Sequence, residues 1–123
     1  MTIDTNIVIA HLAGDAGIHA EFTRLKKMGI SLILSSIVEL ETLAYPKLST
    51  AEIKTIIAYL DETYTFIPLD RAIAQIGGSL RRRHAIAFAD AAIAATALYT
   101  HTPVVTRNRK DFERIPGLGI IVI

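Results

Sequence analysis

Short apolar segments alternate with longer segments of helical periodicity along the whole chain. The run Ile30–Ser35 is almost continuously apolar, which is typical of a strand buried on both faces. Five short segments predict strands, at 2–3, 30–35, 65–69, 104–106 and 120–123. The segments between them predict helices at 7–12, 20–28, 36–45, 49–64, 70–83 and 88–101. This alternation predicts an α/β fold with a mainly parallel sheet that is covered on both sides.

Several polar residues and glycines mark the ends of these helices. Gly29 follows the second helix at the position where glycine often ends one. Ser49 and Glu52 have the spacing of a capping box, in which each side chain bonds the other residue's backbone N–H. Ser36 and Glu39 have the same spacing at the start of the third helix, which gives Glu39 a structural role.

Length and composition narrow the class of protein. The chain of 123 residues has the length of a single domain. Its composition, with 51% hydrophobic and 20% charged residues, is typical of a globular protein and not of a disordered one. The absence of cysteine excludes a disulfide scaffold, a thiolate metal site and a cysteine nucleophile. No apolar run is long enough to span a bilayer, and no basic leader precedes the first strand. We therefore expect a single cytoplasmic domain over residues 1–123, with no membrane partner.

The net charge of +1 identifies no partner, but the basic residues are unevenly distributed. Ten of the thirteen fall in three clusters, which are Arg24, Lys26 and Lys27; Arg81, Arg82 and Arg83; and Arg107, Arg109, Lys110 and Arg114. Such clusters can bind a phosphate backbone, although each is also compatible with an ordinary solvated surface.

Four acidic residues occupy positions that their surroundings do not readily explain. Asp4 directly follows the first strand, where it could instead cap the next helix. Glu41 lies among apolar residues and, unlike Glu39, has no capping role. Asp90 is the only ionisable group in the apolar stretch from 88 to 98, although a carboxylate is also favourable at a helix N-terminus. Asp111 follows the fourth strand and could be a simple loop or cap residue.

Three of these acids are predicted at or just beyond strand ends, and Glu41 on the helix after its strand. The ends of parallel strands meet at one rim, so the four carboxylates would repel one another there unless some stayed protonated or a cation bound. Oxygen ligands without cysteine favour Mg²⁺ or Mn²⁺. The four histidines show no paired metal-ligand spacing, and we interpret them as ordinary surface or core residues.

Such a site predicts metal-assisted hydrolysis of a phosphodiester, in which the metal activates water and the protein needs no side-chain nucleophile. The chain has neither a G-x-S-x-G nucleophile elbow nor a phosphate-binding P-loop, which agrees with this chemistry. The basic clusters would then hold a polyanion beside the acidic rim.

In these residues the sequence resembles the PIN domain family, of the kind found in the toxins of VapBC toxin–antitoxin pairs. The resemblance runs nearly end to end and rests on four motifs in order. They are Ile3-Asp4-Thr5-Asn6; the segment 35–46, whose acid is Glu41; the segment 88–97, whose acid is Asp90; and the segment 106–112, with Thr106, Asn108 and Asp111. The very short first strand and Thr42, where an apolar residue is usual, are small departures.

The resemblance implies a three-layer α/β/α fold and an endoribonuclease dependent on Mg²⁺ or Mn²⁺. It also implies a homodimer and a cognate antitoxin whose tail enters the acidic cleft. The implied metal ligands are Asp4, Glu41, Asp90 and Asp111, with Thr106 and Asn108 positioning water, metal or phosphate. The basic residues Arg81, Arg82, Arg83, Arg107, Arg109 and Lys110 are the candidate RNA contacts, and the apolar positions Ile53, Ile56, Ile57 and Leu60 belong either to a dimer surface or to the core.

Two other classes remain open at this point. One is an enzyme that forms an aspartyl-phosphate on Asp4. Asn6 stands where phosphohydrolases of the haloacid dehalogenase type usually carry a second Asp, and no Lys follows a late strand as a receiver domain would require. The other is a PIN-like module that binds RNA or protein without cutting, which the presence of all four acids disfavours.

Overall fold

A computed structural model of the protein describes residues 1–123, which form five strands and six α-helices. The strands are β1 (Thr2–Ile3), β2 (Ile33–Ser35), β3 (Thr65–Ile67), β4 (Val104–Thr106) and β5 (Ile120–Val122). The helices are α1 (Thr5–Leu12), α2 (Ala16–Lys27), α3 (Ser36–Leu43), α4 (Thr50–Thr63), α5 (Arg71–Arg83) and α6 (Phe88–Thr100). A 3₁₀ turn over Arg109–Asp111 follows β4. None of the helices has both the length and the apolar character needed to cross a bilayer.

The five strands form one parallel sheet in the order β3-β2-β1-β4-β5. The chain builds outward from β1 to β3, and then α5 and α6 carry it back across β2 and β1 to place β4 on the other side. The direction of building therefore reverses between β1 and β4. In open parallel sheets, the crevice at such a reversal is where ligands bind. The predicted α/β architecture, a parallel sheet flanked by helices, is confirmed.

The sheet and helices share one core of 21 buried apolar residues. Helix α6 contributes most to it, because every residue from 91 to 97 is buried. This helix packs on α5, on β1 and on β2, and close approach to α5 is possible where Gly77 faces Ala91 and Ala95. Leu60 belongs to this core, whereas Ile57 on the same helix is exposed.

Two elements begin three or more residues away from the predicted start. The second strand begins at Ile33 rather than Ile30, because β1 has only two residues and β3 starts opposite Ile33, so no neighbour pairs with the earlier residues. Helix α2 begins at Ala16, four residues earlier than predicted. There Asp15 caps the helix by accepting a hydrogen bond from the N–H of Ile18 at 3.0 Å.

One of the two predicted capping boxes is confirmed and the other is wrong. Ser49 and Glu52 make both reciprocal hydrogen bonds at the start of α4. At the start of α3, Ser35 is the cap residue and Ser36 already lies within the helix. The Ser36 hydroxyl instead accepts the N–H of Leu69 at 2.9 Å and so ties α3 to the segment after β3. Glu39 therefore has no capping role.

Candidate functional site

Asp4 lies at the centre of the predicted acidic rim, between the ends of β1 and β4. Only 5% of its surface is exposed, and three donors hold its carboxylate. The Thr5 N–H bonds Oδ1 at 2.7 Å, while the Asn6 amide and the Thr106 hydroxyl bond Oδ2 at 2.8 and 2.6 Å. Burial raises the pKa of Asp4, the bonds from Thr106 and Thr5 oppose that rise, and the charges of Glu41 and Asp111 add to it.

Glu41 reaches the same rim from the second turn of α3. Its Oε1 accepts a hydrogen bond from the Thr5 hydroxyl at 2.6 Å. Thr5 therefore bonds Glu41 through its side chain and Asp4 through its backbone, and it links the two carboxylates. Helix α3 can place Glu41 here because β2 passes directly into α3 without a loop.

Asp90 is carried by a helix that does not follow a strand, contrary to the prediction. Helix α6 is preceded by α5, and Asp90 reaches the rim from the first turn of α6. Burial raises the pKa of its carboxyl to about 6, with smaller contributions from the charges of Asp111, Asp4 and Glu41. No hydrogen bond opposes this rise. Of the four acids, Asp90 is therefore the one whose charge is least stabilised by the protein.

Asp111 closes the rim from the 3₁₀ turn after β4. Its Oδ2 accepts a hydrogen bond from the Asn108 amide at 2.7 Å. The Asn108 backbone N–H in turn bonds the Thr106 hydroxyl at 2.9 Å, and that hydroxyl donates to Asp4. Thr106 is completely buried, so its contact is with the protein rather than with solvent. Thr106 and Asn108 thus hold two carboxylates, Asp4 and Asp111, in place.

The four predicted acids therefore share one rim, and the other three all raise the pKa of Asp90. No three Asp, Glu or His side chains anywhere in the protein already surround a point at metal-binding distances. Each of Asp4, Glu41 and Asp111 is instead held by donors of its own neighbourhood. The donor set is all oxygen, and like charges held close in a partly buried rim are the condition that a hard divalent cation relieves. The residues fit Mg²⁺ or Mn²⁺.

The candidate basic residues are all exposed, but they differ in their contacts. Arg81 lies 6.0 Å from the ring centre of Phe88, two residues before Asp90. The Arg107 guanidinium bonds Asp15 at 2.5 Å, so it is directed toward α2. Arg82, Arg83, Arg109 and Lys110 form no ion pair.

Two residues of the site, Thr5 and Asn6, were not among the predicted ones. Asn6 bonds Asp4 and Thr106, and its Oδ1 accepts the N–H of Arg107 at 3.2 Å, which joins α1 to the end of β4. Polar residues are also common at the start of a helix, so the presence of Thr5 and Asn6 beside Asp4 did not mark them as site residues in the sequence. The parallel pairing of β1 with β4 brings Asn6 beside Thr106.

Comparison with known proteins agrees with this architecture. Residues 1–118 match the PIN domain family. A Mycobacterium tuberculosis protein named Ribonuclease VapC19 is 32% identical over 122 residues, which cover 94% of each chain.

Solved structures give the same picture. One chain of a toxin–antitoxin complex from Klebsiella pneumoniae superposes with a TM-score of 0.78 and 28% identity, covering 98% of this chain and 94% of that one. VapBC2 of Rickettsia felis gives a TM-score of 0.82 at 21% identity over 99% and 97% of the two chains, a likeness of fold alone. With a match over almost its whole length, the chain belongs to the PIN domain family.

Proposed function

We propose that this protein is a divalent-metal-dependent endoribonuclease and the toxin of a type II toxin–antitoxin pair. The observation that carries the proposal is the rim at the switch point of the sheet, where Asp4, Glu41 and Asp111 meet Asp90. Burial and then the charges of these three neighbours raise the pKa of Asp90. The similarity of the chain, over nearly its full length, to a protein named as a VapC ribonuclease supports RNA as the substrate.

Asp4 and Asp90 would hold the cation, Mg²⁺ or Mn²⁺, with Glu41 and Asp111 on either side of them. When bound, such a cation activates water for attack on a phosphodiester and offsets charge on the leaving oxygen. Asp90 has no hydrogen-bond donor of its own, so its carboxylate is available without breaking an existing bond. The donors on Asp4 favour its ionised form, which is the form that binds a cation.

Thr5, Asn6, Thr106 and Asn108 are positioning residues in this proposal. Their hydrogen bonds fix the orientation of Asp4, Glu41 and Asp111 before any ligand arrives. Preorganised ligands cost less reorganisation when the reacting groups bind. We therefore assign Thr106 and Asn108 to the carboxylates, and direct contact of either with the substrate is not needed.

The exposed Arg81, Arg82 and Arg83 at the end of α5 would attract the RNA backbone toward the rim. Arg81 is the best placed of them, because it lies over Phe88 at the start of the helix that carries Asp90. Arg109 and Lys110 would act from the opposite side, in the turn that carries Asp111. Arg107, paired with Asp15, would have to leave that partner first.

A cognate antitoxin is the proposed protein partner, and a homodimer the proposed assembly. The similar chain from Klebsiella pneumoniae lies in a toxin–antitoxin complex, which supports the antitoxin. For the dimer, Ile53 and Ile57 are the remaining candidates on α4, since Leu60 is part of the core and Ile56 packs against it.

A phosphoryl acceptor role for Asp4 is disfavoured, because residues 1–118 match the PIN domain family. A module that binds without cutting predicts that RNA binding persists while no metal condition gives cleavage.

The experiment is RNA cleavage by the purified protein with Mn²⁺, with Mg²⁺ and with EDTA. Single-stranded and structured RNAs are offered together, and D90N and D61N are prepared identically. Asp61 is an exposed acid on α4, away from the rim, so its variant controls for preparation and charge. We expect metal-dependent cleavage by the wild type and D61N and none by D90N. Cleavage that survives in D90N would contradict the assignment.

A further inference from the structure

Away from the acidic rim, two histidines meet where α1 turns into α2. His11 lies in the last turn of α1 and His19 in the first turns of α2. The turn between the helices brings His11 Nε2 to 3.3 Å from His19 Nδ1. They line a cavity of about 370 Å³ between α2 and the end of α4, and the carboxylate-bearing Glu62 lines the same cavity.

The distance between these two nitrogens has two interpretations. It lies just beyond the usual range of roughly 2.7–3.2 Å for a hydrogen bond from N–H to oxygen. It also equals the separation between two nitrogens bound to one tetrahedral Zn²⁺, which is about 3.3–3.4 Å for Zn–N bonds of about 2.0–2.1 Å.

The surroundings of His11 hold its ring in one orientation. Its Nδ1 contacts the hydroxyl of Tyr59, which bonds the hydroxyl of Tyr64 at 2.9 Å. A proton on Nδ1 that is donated to Tyr59 leaves the lone pair of Nε2 directed at His19. A hydrogen bond of this kind on the second ring nitrogen accompanies most metal-binding histidines and fixes their tautomer. Phe22 packs edge-on against the His11 ring and restricts its rotation.

The position of His19 also suits a ligand. His19 is exposed, and its Nε2 can keep its proton toward solvent while Nδ1 faces His11.

We propose that His11 and His19 form a binding site for a divalent transition ion such as Zn²⁺, with water completing the coordination. Imidazole nitrogen suits Zn²⁺, whereas the all-oxygen rim around Asp90 suits Mg²⁺ or Mn²⁺, so the two sites select different metals. A cation here joins the end of α1 to the start of α2 and stabilises the folded protein by binding it selectively. This inference does not depend on the ribonuclease activity.

The test is calorimetric titration of Zn²⁺ into the untagged full-length protein in excess Mg²⁺, which competes for the oxygen ligands of the rim. We expect H19Q to lower Zn²⁺ affinity at least tenfold, because the loss of an outer-shell partner alone costs that much. H84Q, which changes a histidine at the end of α5, should bind as the wild type does.

H11Q gives a second measure, but its ring packs on Phe22 and Tyr59, so the variant could lose stability for other reasons. H19Q removes an exposed ring and keeps the test independent of folding. Zn²⁺ should also raise the thermal midpoint of the wild type reversibly, and not that of H19Q. Equal Zn²⁺ affinity in the wild type and H19Q would overturn the proposal and leave the pair as a hydrogen-bonded aromatic contact.

Discussion

At the scale of single residues, Asp90 stands out because it is charged where its helix is otherwise apolar. The surrounding protein compensates that charge only in part. Burial raises the pKa of the Asp90 carboxyl to about 6, and no hydrogen-bond donor stabilises its charged form. Asp4 is more deeply buried but has three donors. A ligand that supplies positive charge would stabilise the carboxylate of Asp90 more than that of Asp4, because Asp90 has no hydrogen bonds that the ligand would have to replace.

The raised pKa of Asp90 makes the metal-free protein less stable as the pH rises. The folded state binds this proton with a pKa of about 6, against an ordinary value of 3.8 for aspartate. The stabilisation is therefore complete below about pH 4 and is lost as the pH rises through 6. We expect D90N in EDTA to be more stable than the wild type at pH 7, by on the order of 1 kcal/mol after screening by solvent.

Urea unfolding of both proteins between pH 4 and pH 8 measures this difference. The advantage of D90N over the wild type should grow from pH 4 to about pH 6 and stay constant above it, whereas D61N should track the wild type throughout. A difference that is constant over this range would show that Asp90 titrates normally.

Thr106 tests whether the hydrogen-bonded frame around the acids matters. T106V keeps the shape of the side chain but removes the donor to Asp4 and the acceptor for Asn108. We expect a loss of about 1–3 kcal/mol in the free energy of unfolding, since Asp4 loses one of its three donors and the Asn108 N–H loses its acceptor. Thermal and urea unfolding measure it, with T55V on the exposed face of α4 as the control. A T106V protein as stable as T55V would mean that water replaces the hydroxyl.

At the scale of elements, the order of strands and helices could be predicted because apolar periodicity depends on each segment alone. Boundaries that depend on neighbours could not be. Ile30–Leu32 reads as strand, yet it has no partner opposite it. Ser36 has the sequence of a cap, yet the direct passage from β2 to α3 places it inside the helix.

The packing of α5 on α6 positions Asp90 and depends on Gly77. A Cβ at Gly77 would lie 3.6 Å from the Ala91 carbonyl and the Ala95 Cβ, whereas Gly78 is exposed and meets only the flexible Arg82. We expect G77V to destabilise the protein by about 1–3 kcal/mol through overpacking, and also to reduce cleavage.

G78V is the matched control, with the same change one residue along the same helix. Its effect on stability should stay close to zero, because it meets no packed neighbour. Urea unfolding of the two variants compares them directly. Equal effects of G77V and G78V would show that α6 has room to move away from α5.

At the scale of the whole molecule, parallel strands explain why separated acids meet. Asp4 and Asp111 follow β1 and β4, and the sheet brings those ends together, which the alternation of elements already predicts. The route of Asp90 from α5 was not predictable, because it depends on how far the crossover carries α6. The pairing of His11 with His19 was missed because eight residues across a turn follow no repeating pattern.

The charge distribution predicts where RNA approaches. Replacing Arg81, Arg82 and Arg83 together by Gln should weaken RNA binding and reduce its dependence on salt, with a change of about 2 in the logarithmic slope. Replacing Arg24, Lys26 and Lys27 on α2 in the same way removes equal charge as the matched control. Binding measured at several salt concentrations compares the two. An equal effect of both replacements would indicate general attraction without a preferred path.

Binding of Mn²⁺ by the wild type and D90N, measured by calorimetry with D61N beside them, tests directly whether the rim is a metal centre. We expect the wild type and D61N to bind Mn²⁺ with the same affinity, and D90N to bind at least tenfold more weakly while remaining folded. The thermal midpoint should rise with Mn²⁺ in the first two proteins and not in D90N. Undiminished Mn²⁺ binding by D90N would contradict a metal centre at this rim.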